Sequence, residues 1–197
     1  MYKIVNKQKL TELHLEVLSL FTKGFDKQYY IREINRLLKI SPRTSQISLD
    51  FLEKKLILES SSKGKIKLYK IKKSFIAKDY LVVAEIYKKI KLMENNAFIK
   101  DIIEKIYFHI NYIGLIFGSY ANNTQNKDSD LDLFIIGEYN PEKIREISNV
   151  YNIKINVKNY NLKIFKNSIK DDILINEVVN NHIIIKGFDD FISFCIK

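Results

Sequence analysis

The chain has 197 residues, 46% of them hydrophobic, and a single cysteine, Cys195. This length and hydrophobic fraction fit one large or two small domains with a real core. One cysteine excludes an intramolecular disulfide and a cysteine-only zinc site, and no apolar run approaches the roughly 18 residues of a membrane helix. The first residues do not lead into the apolar stretch of a signal peptide. We therefore expect a cytoplasmic protein that does not enter the membrane.

The net charge of +10 lies entirely in the first third of the chain. Residues 1–73 carry 17 Lys and Arg against 7 Asp and Glu, whereas residues 74–197 carry 16 of each. A basic excess confined to one segment indicates a polyanion as the partner of that segment. The alternative is a general bias of the composition towards lysine.

The basic third has the pattern of three helices followed by a β-hairpin. Helical spacing of apolar residues predicts helices at about residues 10–21, 31–38 and 42–54, and alternation predicts strands at residues 56–59 and 65–71. Gly24 is placed to stop the first helix. Ser41 can cap the third helix, and Pro42 suits its first position.

This order of elements, over roughly residues 8–73, resembles winged helix-turn-helix DNA-binding domains. The resemblance implies that the third helix enters the major groove by its N-terminal end and that the hairpin contacts the phosphate backbone. The DNA-binding residues that it implies are Arg43, Thr44, Ser45, Gln46, Lys63, Lys65 and Lys67, with Ser48 one turn further along the helix. One departure is Lys55, where such domains often have glycine. The alternative is a segment for dimerisation or partner binding.

Two further helices are predicted after the hairpin. Residues 75–93 are rich in helix formers, and residues 97–112 repeat apolar residues at helical spacing after a break at Asn95 and Asn96. The first helix is long enough to connect two domains or to form a dimer interface, so a homodimer is a hypothesis. The predicted division of the chain is residues 1–73, a connector at residues 74–95, and residues 96–197.

The most informative motif is a Gly-Ser turn followed by an Asp-x-Asp pair. Gly118 and Ser119 follow the apolar run at residues 113–117, and Asp130 and Asp132 open the next apolar run. Gly118 lets the backbone come close to a phosphate, and Ser119 supplies a hydroxyl. Residues two apart on a strand share a face, so both carboxylates can bind one divalent cation. Each motif alone is also an ordinary turn or a solvated loop; together they indicate a nucleoside triphosphate site.

The spacing of these motifs resembles that of the nucleotidyltransferase superfamily of DNA polymerase β, especially its minimal members and their relatives fused to helix-turn-helix domains. The matching residues are Gly118, Ser119, Ala121, Asp130 and Asp132. The resemblance covers roughly residues 97–197 and implies an α+β fold with a small mixed sheet and flanking helices. It also implies an NTP substrate, triphosphate contacts from Gly118, Ser119 and Ser129, Mg²⁺ held by Asp130 and Asp132, and in-line displacement at the α-phosphate.

The chain departs from this family at two places. Asn123 stands where relatives commonly have glycine, and asparagine tolerates the left-handed backbone region. Relatives also place a third carboxylate on the next strand, and there residues 153–158 offer Asn156 on the same face as Lys154 and Lys158. An amide can ligate Mg²⁺ but cannot act as a base.

Two hypotheses follow. In the first, Asp130, Asp132 and Asn156 form the catalytic site of an enzyme that transfers a nucleoside monophosphate, AMP above all, from an NTP to an acceptor that can be a protein. In the second, the domain is non-catalytic and the protein is a DNA-binding transcriptional regulator. Other acids that can complete the site are Asp171, Asp172 and Glu177.

The last part of the chain is predicted to close the second domain. Helices are expected at residues 141–151, 171–181 and 189–194, with a strand at residues 182–188. The histidines, His14, His109 and His182, are too far apart in sequence for a zinc-binding spacing.

Overall fold

The computed structural model describes residues 9–169 and 171–196. The predicted start of the first domain, at residue 1, and the predicted end of the last domain, at residue 197, lie outside these ranges. The elements up to the connector are α1 (Glu12–Phe21), α2 (Ile31–Leu38), α3 (Pro42–Lys54), β1 (Leu58–Lys63), β2 (Ile66–Ile71) and α4 (Phe75–Asn95). They are followed by α5 (Ala97–Tyr107), β3 (Ile113–Phe117), α6 (Ser119–Asn122), β4 (Leu131–Ile136), α7 (Pro141–Tyr151), β5 (Ile155–Tyr160), α8 (Leu162–Ser168), α9 (Ile173–Asn180), β6 (Ile183–Lys186) and α10 (Phe188–Cys195).

The third helix begins and ends through local backbone chemistry. The Ser41 hydroxyl accepts a hydrogen bond from the Thr44 backbone N–H at 3.0 Å, and Pro42 occupies the first turn, as predicted. At the other end Lys55 keeps a negative φ, and Leu56 takes the left-handed conformation with φ of +60°. Because Leu56 makes this turn, β1 starts at Leu58 rather than at residue 56.

β1 and β2 form an antiparallel hairpin, and a second, four-stranded sheet has the order β5-β4-β3-β6. In the second sheet β3 pairs antiparallel with both β4 and β6, whereas β4 and β5 are parallel. This is the mixed sheet with flanking helices that the motif resemblance implies.

Side-chain alternation divides the four-stranded sheet into two buried faces. On one face Phe134 and Ile136 of β4 join a core that also contains Phe165 and Phe191 from the last helices. On the other face the intervening residues of β4 pack with α5 and α7. Asp132 shares the face of Phe134, near the start of β4, and is only partly buried.

Helix α4 joins the N-terminal elements to this sheet. It packs against α1 on one side and against α10 and β6 on the other. A single core cluster consequently runs from Val17 and Leu49 through Leu81 to Phe134 and Phe191. Neither this helix nor any other in the two described ranges is long and apolar enough to cross a membrane.

A buried ionic cluster lies where α4 meets both of its neighbours. Glu85 is fully buried and accepts from the Lys88 ammonium at 2.7 Å, and that ammonium also lies 3.3 Å from the Thr22 hydroxyl at the end of α1. Nε2 of the buried His182, just before β6, lies 3.5 Å from the other Glu85 oxygen. Burial alone raises the pKa of Glu85, but Lys88 and His182 outweigh it and lower the pKa to about 2.

Several predicted boundaries are wrong. The helix predicted over residues 97–112 ends at Tyr107, because Ile110, which continues its apolar spacing, is buried and bridges to Tyr139 instead. The strand predicted at residues 153–158 is displaced to Ile155–Tyr160. The short helix α8 was not predicted, and α10 begins at Phe188, where a strand was expected.

Replacement of Glu85 by alanine should lower the free energy of unfolding by roughly 3 kcal/mol, because the mostly buried Lys88 loses its counter-charge. Chemical denaturation at pH 7 measures the change. The exposed pair Lys143–Glu146 provides the control, and Glu146→Ala should change stability by about 1 kcal/mol or less.

The pH dependence follows from the same cluster. The folded-state pKa of Glu85 lies below its ordinary value of 4.5, so its contribution is complete above about pH 4.5 and is lost as the pH falls towards 2. The stability difference between wild type and Glu85→Ala should therefore shrink over that interval. A difference that stays constant down to pH 2 would contradict this account.

Candidate active site

The Gly-Ser turn and the Asp-x-Asp pair lie side by side because β3 pairs with β4. Phe117, the last residue of β3, is opposite Asp132, so Gly118 passes directly beside the Asp132 carboxylate. Gly118 has φ of +68° and ψ of −141°, and a Cβ built there would lie 2.5 Å from Asp132 Oδ2. Only glycine meets both conditions without strain.

The turn after Gly118 is the short helix α6. It is closed by hydrogen bonds from the Asn122 and Thr124 N–H groups to the carbonyls of Gly118 and Ser119, each 3.0 Å long. Asn123 follows with φ of +56°, which confirms the prediction that asparagine supports the loop in place of glycine. Buried Tyr120 anchors α6 to the core, and this short helix begins at Ser119, directly after Gly118.

The two predicted carboxylates and Asn156 converge. Parallel pairing of β4 with β5 sets Asp132 opposite Asn156, whose Nδ2 donates to Asp132 Oδ1 at 3.0 Å and to Asp130 Oδ2 at 3.1 Å. Lys154 Nζ donates to the same Asp130 oxygen at 2.8 Å. The predicted catalytic residues Asp130, Asp132 and Asn156 thus form one cluster with Lys154 where β4 and β5 begin, close to Gly118. We call these four residues the active-site cluster.

Lys154 dominates the electrostatics of Asp130. Hydrogen bonds from Lys154 and then from Asn156 lower the pKa of the Asp130 carboxyl, and Asp130 in turn raises the pKa of Lys154. Both side chains are solvent-accessible, at 36% and 70% exposure, so water and salt screen this pair. Asp130 is an ionised carboxylate at neutral pH.

The donor set fits one divalent cation. The positively polarised Nδ2 of Asn156 lies within 3.1 Å of one oxygen of Asp130 and of one oxygen of Asp132. A cation at the position of this nitrogen would contact both carboxylates. Carboxylate oxygens are the ligands that Mg²⁺ prefers. Asn156 has a carbonyl oxygen at the other end of its amide, so it would have to turn over to become a ligand.

Ser129 and Asp172, two further predicted contributors, make local hydrogen bonds. Ser129 holds the loop before β4 together, accepting from the Asn126 N–H at 2.8 Å. Asp172 caps α9 by accepting from the Ile175 N–H at 2.9 Å. Within residues 9–169 and 171–196, no group of three or more His, Cys, Asp or Glu residues can share a metal ion, so Asp171, Asp172 and Glu177 do not complete the site.

The residues predicted to bind DNA lie on α3 and the hairpin, and they differ in exposure. Arg43 and Gln46 are exposed, but Ser45 is buried and donates to the Ser41 carbonyl, and Ser48 is buried as well. The expectation of a surface position is therefore wrong for both of these serines. The Thr44 hydroxyl lies 2.8 Å from the Ser41 hydroxyl, in the cap of α3.

The three hairpin lysines are not equivalent. Lys63 and Lys65 are exposed beside the turn at Gly64, whereas Lys67 pairs with Glu53 of α3 at 2.7 Å and lies over the Tyr69 ring. Lys67 therefore fastens the hairpin to α3.

One contributor to the active-site cluster, Lys154, had no predicted role. Strand alternation already placed it on the face of Asn156, which was the available signal.

A cleft of about 950 Å³ lies at the opposite end of β4 and β5, around Gly137 and Asn159. It includes none of the predicted site residues.

Gly118→Ala should lower the free energy of unfolding by at least about 2 kcal/mol, through backbone strain and the contact with Asp132. Gly64→Ala is the matched control, because Gly64 also has a positive φ, of +60°, but has open space around it. We expect Gly64→Ala to lower the free energy of unfolding by about 1 kcal/mol. In an Asp132→Ala background the contact is gone, and the cost of Gly118→Ala should fall. Equal costs in both backgrounds would contradict the proposed contact.

Comparison with known proteins agrees with this geometry for one part of the chain. Residues 114–187 match the family model described as "Nucleotidyltransferase domain". No curated protein and no solved structure matches the chain. The match spans β3 to the end of β6 and contains Gly118, Asp130, Asp132 and Asn156, whereas the N-terminal helices and hairpin lie outside it. The nucleotidyltransferase domain predicted from the Gly-Ser and Asp-x-Asp motifs is therefore confirmed for residues 114–187.

Proposed function

We propose that this protein transfers a nucleoside monophosphate, AMP above all, from an NTP to an acceptor hydroxyl, and that its N-terminal elements bind DNA. Nucleoside monophosphate transfer is the general activity of the domain that residues 114–187 match. The observation that carries the proposal is the convergence of Asp130 and Asp132 beside the Gly118 turn. A protein side chain is the acceptor that the resemblance to minimal nucleotidyltransferases favours.

Each residue has a role in this proposal. Gly118 and Ser119 contact the triphosphate through backbone N–H groups and the serine hydroxyl. Asp130 and Asp132 hold Mg²⁺, which neutralises charge on the phosphates when it is bound. Lys154, which already pairs with Asp130, adds a positive charge beside the same phosphates. Ser129 keeps the loop before Asp130 closed.

The reaction is a displacement at phosphorus. The acceptor oxygen forms a bond to the α-phosphorus, the bond from that phosphorus to the oxygen bridging to the β-phosphate breaks, and pyrophosphate leaves. The acceptor proton must go to a base or to water, and the amide of Asn156 cannot take it. Carboxylate oxygens of Asp130 and Asp132 are the bases nearest to Asn156 among the described residues.

A second candidate function rests on Asn156 and Lys154. The neutral amide replaces the third carboxylate of relatives, and the ammonium neutralises part of the remaining negative charge. In this alternative the domain binds a nucleotide without transferring it, and the protein is a DNA-binding regulator. Ligand binding and DNA binding would then be its whole activity.

The DNA-binding proposal rests on charge and exposure. The basic excess lies in residues 1–73, and the exposed residues Arg43 and Gln46 sit in the first turn and a half of α3. Lys63 and Lys65 project from the hairpin tip. These positions support the proposal that α3 contacts bases and that the hairpin contacts phosphates, as a recognition helix and a basic wing do.

Addition of MgATP at about 100 times its dissociation constant should raise the melting temperature of the wild type by roughly 5–10 °C. Asp130→Asn/Asp132→Asn should abolish the part of the shift that requires Mg²⁺, because the cation loses both carboxylates. Differential scanning fluorimetry with ATP in Mg²⁺ and in excess EDTA measures this part without knowledge of the acceptor. A Mg²⁺-dependent shift that survives in the double variant would overturn the assignment of the site.

Transfer is tested with α-labelled ATP and a cell extract that supplies acceptors. Wild-type protein should label a macromolecule, and Asp130→Asn/Asp132→Asn should not. Asn156→Asp, which restores a third carboxylate, should raise the rate by at least about tenfold. No labelling by the wild type, together with labelling by Asn156→Asp, would establish the non-catalytic alternative.

Binding to duplex DNA from upstream of its own coding sequence should weaken steeply with salt. Fluorescence anisotropy should show that Lys63→Ala/Lys65→Ala reduces the slope of log K against log salt by about 2, because two phosphate contacts are lost. Arg43→Ala should weaken binding roughly tenfold. Lys105→Ala/Lys163→Ala, which removes two exposed lysines outside the basic third, is the control and should change neither quantity. An unchanged slope in the hairpin variant would count against DNA binding by this surface.

A further inference from the structure

A cleft of about 570 Å³ lies between the N-terminal helices, α4 and the loop of α6. Its walls include Leu20 of α1, Leu37 of α2, Tyr87 of α4, and Tyr120 and Asn123 from the turn after the Gly-Ser motif. Its volume is within the range of small-molecule sites. Asp130, Asp132 and Gly118 are not part of its lining. The cleft is therefore separate from the active-site cluster, although α6 borders both.

Four lysines line this cleft: Lys23, Lys39, Lys88 and Lys91. Lys91 is paired with Glu16 and Lys88 with Glu85, each at 2.7 Å. Lys23 and Lys39 have no ion-pair partner in the described part of the chain. The partly buried Lys23 and the exposed Lys39 thus add two positive charges to the lining that no described carboxylate neutralises, which favours an anionic ligand.

Lys88 lies close enough to Lys23 for the two ammonium groups to repel each other. Its side chain is only 12% exposed. Burial lowers the pKa of Lys88; Glu85 opposes this effect, and the nearby Lys23 ammonium adds to it. Two ammonium groups close enough to repel each other at one wall of a cleft favour a ligand with negative charge.

The rest of the lining has the character of a ring-binding site. Leu20, Leu37, Leu38 and Leu92 supply apolar surface beside the Tyr87 and Tyr120 rings. Gln125 Oε1, in the same lining, is buried and has no hydrogen-bond partner among residues 9–169 and 171–196. A buried acceptor of this kind is stabilised by an N–H donor from a ligand.

We propose that this cleft is a second ligand site, for a nucleotide whose phosphates bind Lys23 and Lys39 and whose ring lies on the leucine wall with an N–H group towards Gln125. The ligand would bind through lysines and not through a metal ion. This site is independent of the proposed transfer reaction. It goes beyond that reaction because its ligand is an effector rather than a substrate.

A ligand bound in the cleft would lie next to elements of both proposed functional surfaces. Lys39 caps the end of α2, three residues before Pro42 opens α3; Tyr120 follows Ser119 directly, and Asn123 caps the end of α6. A ligand in the cleft thus contacts both the turn before the proposed recognition helix and the loop of the active site. Any difference in its affinity between two arrangements of these elements would couple DNA binding to nucleotide chemistry.

The test uses the full chain carrying Asp130→Asn/Asp132→Asn, with ATP as the ligand and excess EDTA, so that the metal-dependent site is silent. Isothermal titration calorimetry should detect one binding event. Adding Lys23→Ala/Lys39→Ala should weaken it at least tenfold, because two charge-assisted contacts are lost. The matched control Lys105→Ala/Lys163→Ala removes the same charge from exposed positions outside the cleft and should leave the affinity unchanged. An unaltered melting temperature shows that each variant is folded.

Three outcomes would overturn the proposal. One is the absence of ATP binding in EDTA, and another is an equal loss of affinity in the Lys105→Ala/Lys163→Ala control, which would indicate a non-specific polyanion effect. The third is inorganic tripolyphosphate binding as tightly as ATP, since the ring would then contribute nothing. Failure of the transfer assay leaves this result untouched, because the variant used here lacks the active-site carboxylates.

Discussion

The pairing of β3 with β4 is the constraint on which the candidate active site depends. It sets Phe117 opposite Asp132, so the chain must leave β3 within van der Waals distance of a carboxylate. This strand register therefore requires three things together: Asp132 beside Gly118, a positive φ at Gly118, and no side chain on that residue. Parallel pairing of β4 with β5 then brings Asn156 to the same place. A slip of one residue in either register would turn these polar groups into a buried face.

A second constraint comes from α4, which shares one core with the N-terminal helices and with the sheet. The buried cluster of Glu85, Lys88 and His182 sits at this junction and reaches Thr22 at the end of α1. Separating the N-terminal helices from the sheet would expose apolar surface and break an ionic cluster that has little access to water. Relative movements of the two halves must therefore keep α4 and this cluster together or reorganise them. The cleft with Lys23 and Lys39 lies beside this same junction.

Sequence reasoning worked where a local rule and the tertiary structure agree. Period-two alternation put Asp130 and Asp132 on one face, and Ser41 with Pro42 located the start of α3. It was wrong where an apolar residue has a distant partner. Ile110 continues a helical spacing, but its bridge to Tyr139 continues the pairing of β3 with β4 beyond the ends of both strands, and no local rule contains that information. The positions of the buried serines in α3 and the existence of the seven-residue α8 were likewise decided by packing.

The charge of the active-site cluster bears on what it can bind. Two carboxylates and the Lys154 ammonium together leave a net charge of −1, where a third carboxylate in place of Asn156 would make it −2. Removing one negative charge weakens the attraction for every cation, and the second of two divalent ions loses most because it also meets the repulsion of the first. Without a nucleotide, one divalent ion would bring this cluster to +1 and two would bring it to +3, so a second ion would depend on the negative charge of the triphosphate. In the proposed transfer, nucleotide binding and deprotonation of the acceptor would thus have separate electrostatic requirements, and the neutral amide of Asn156 would impair the second more than the first.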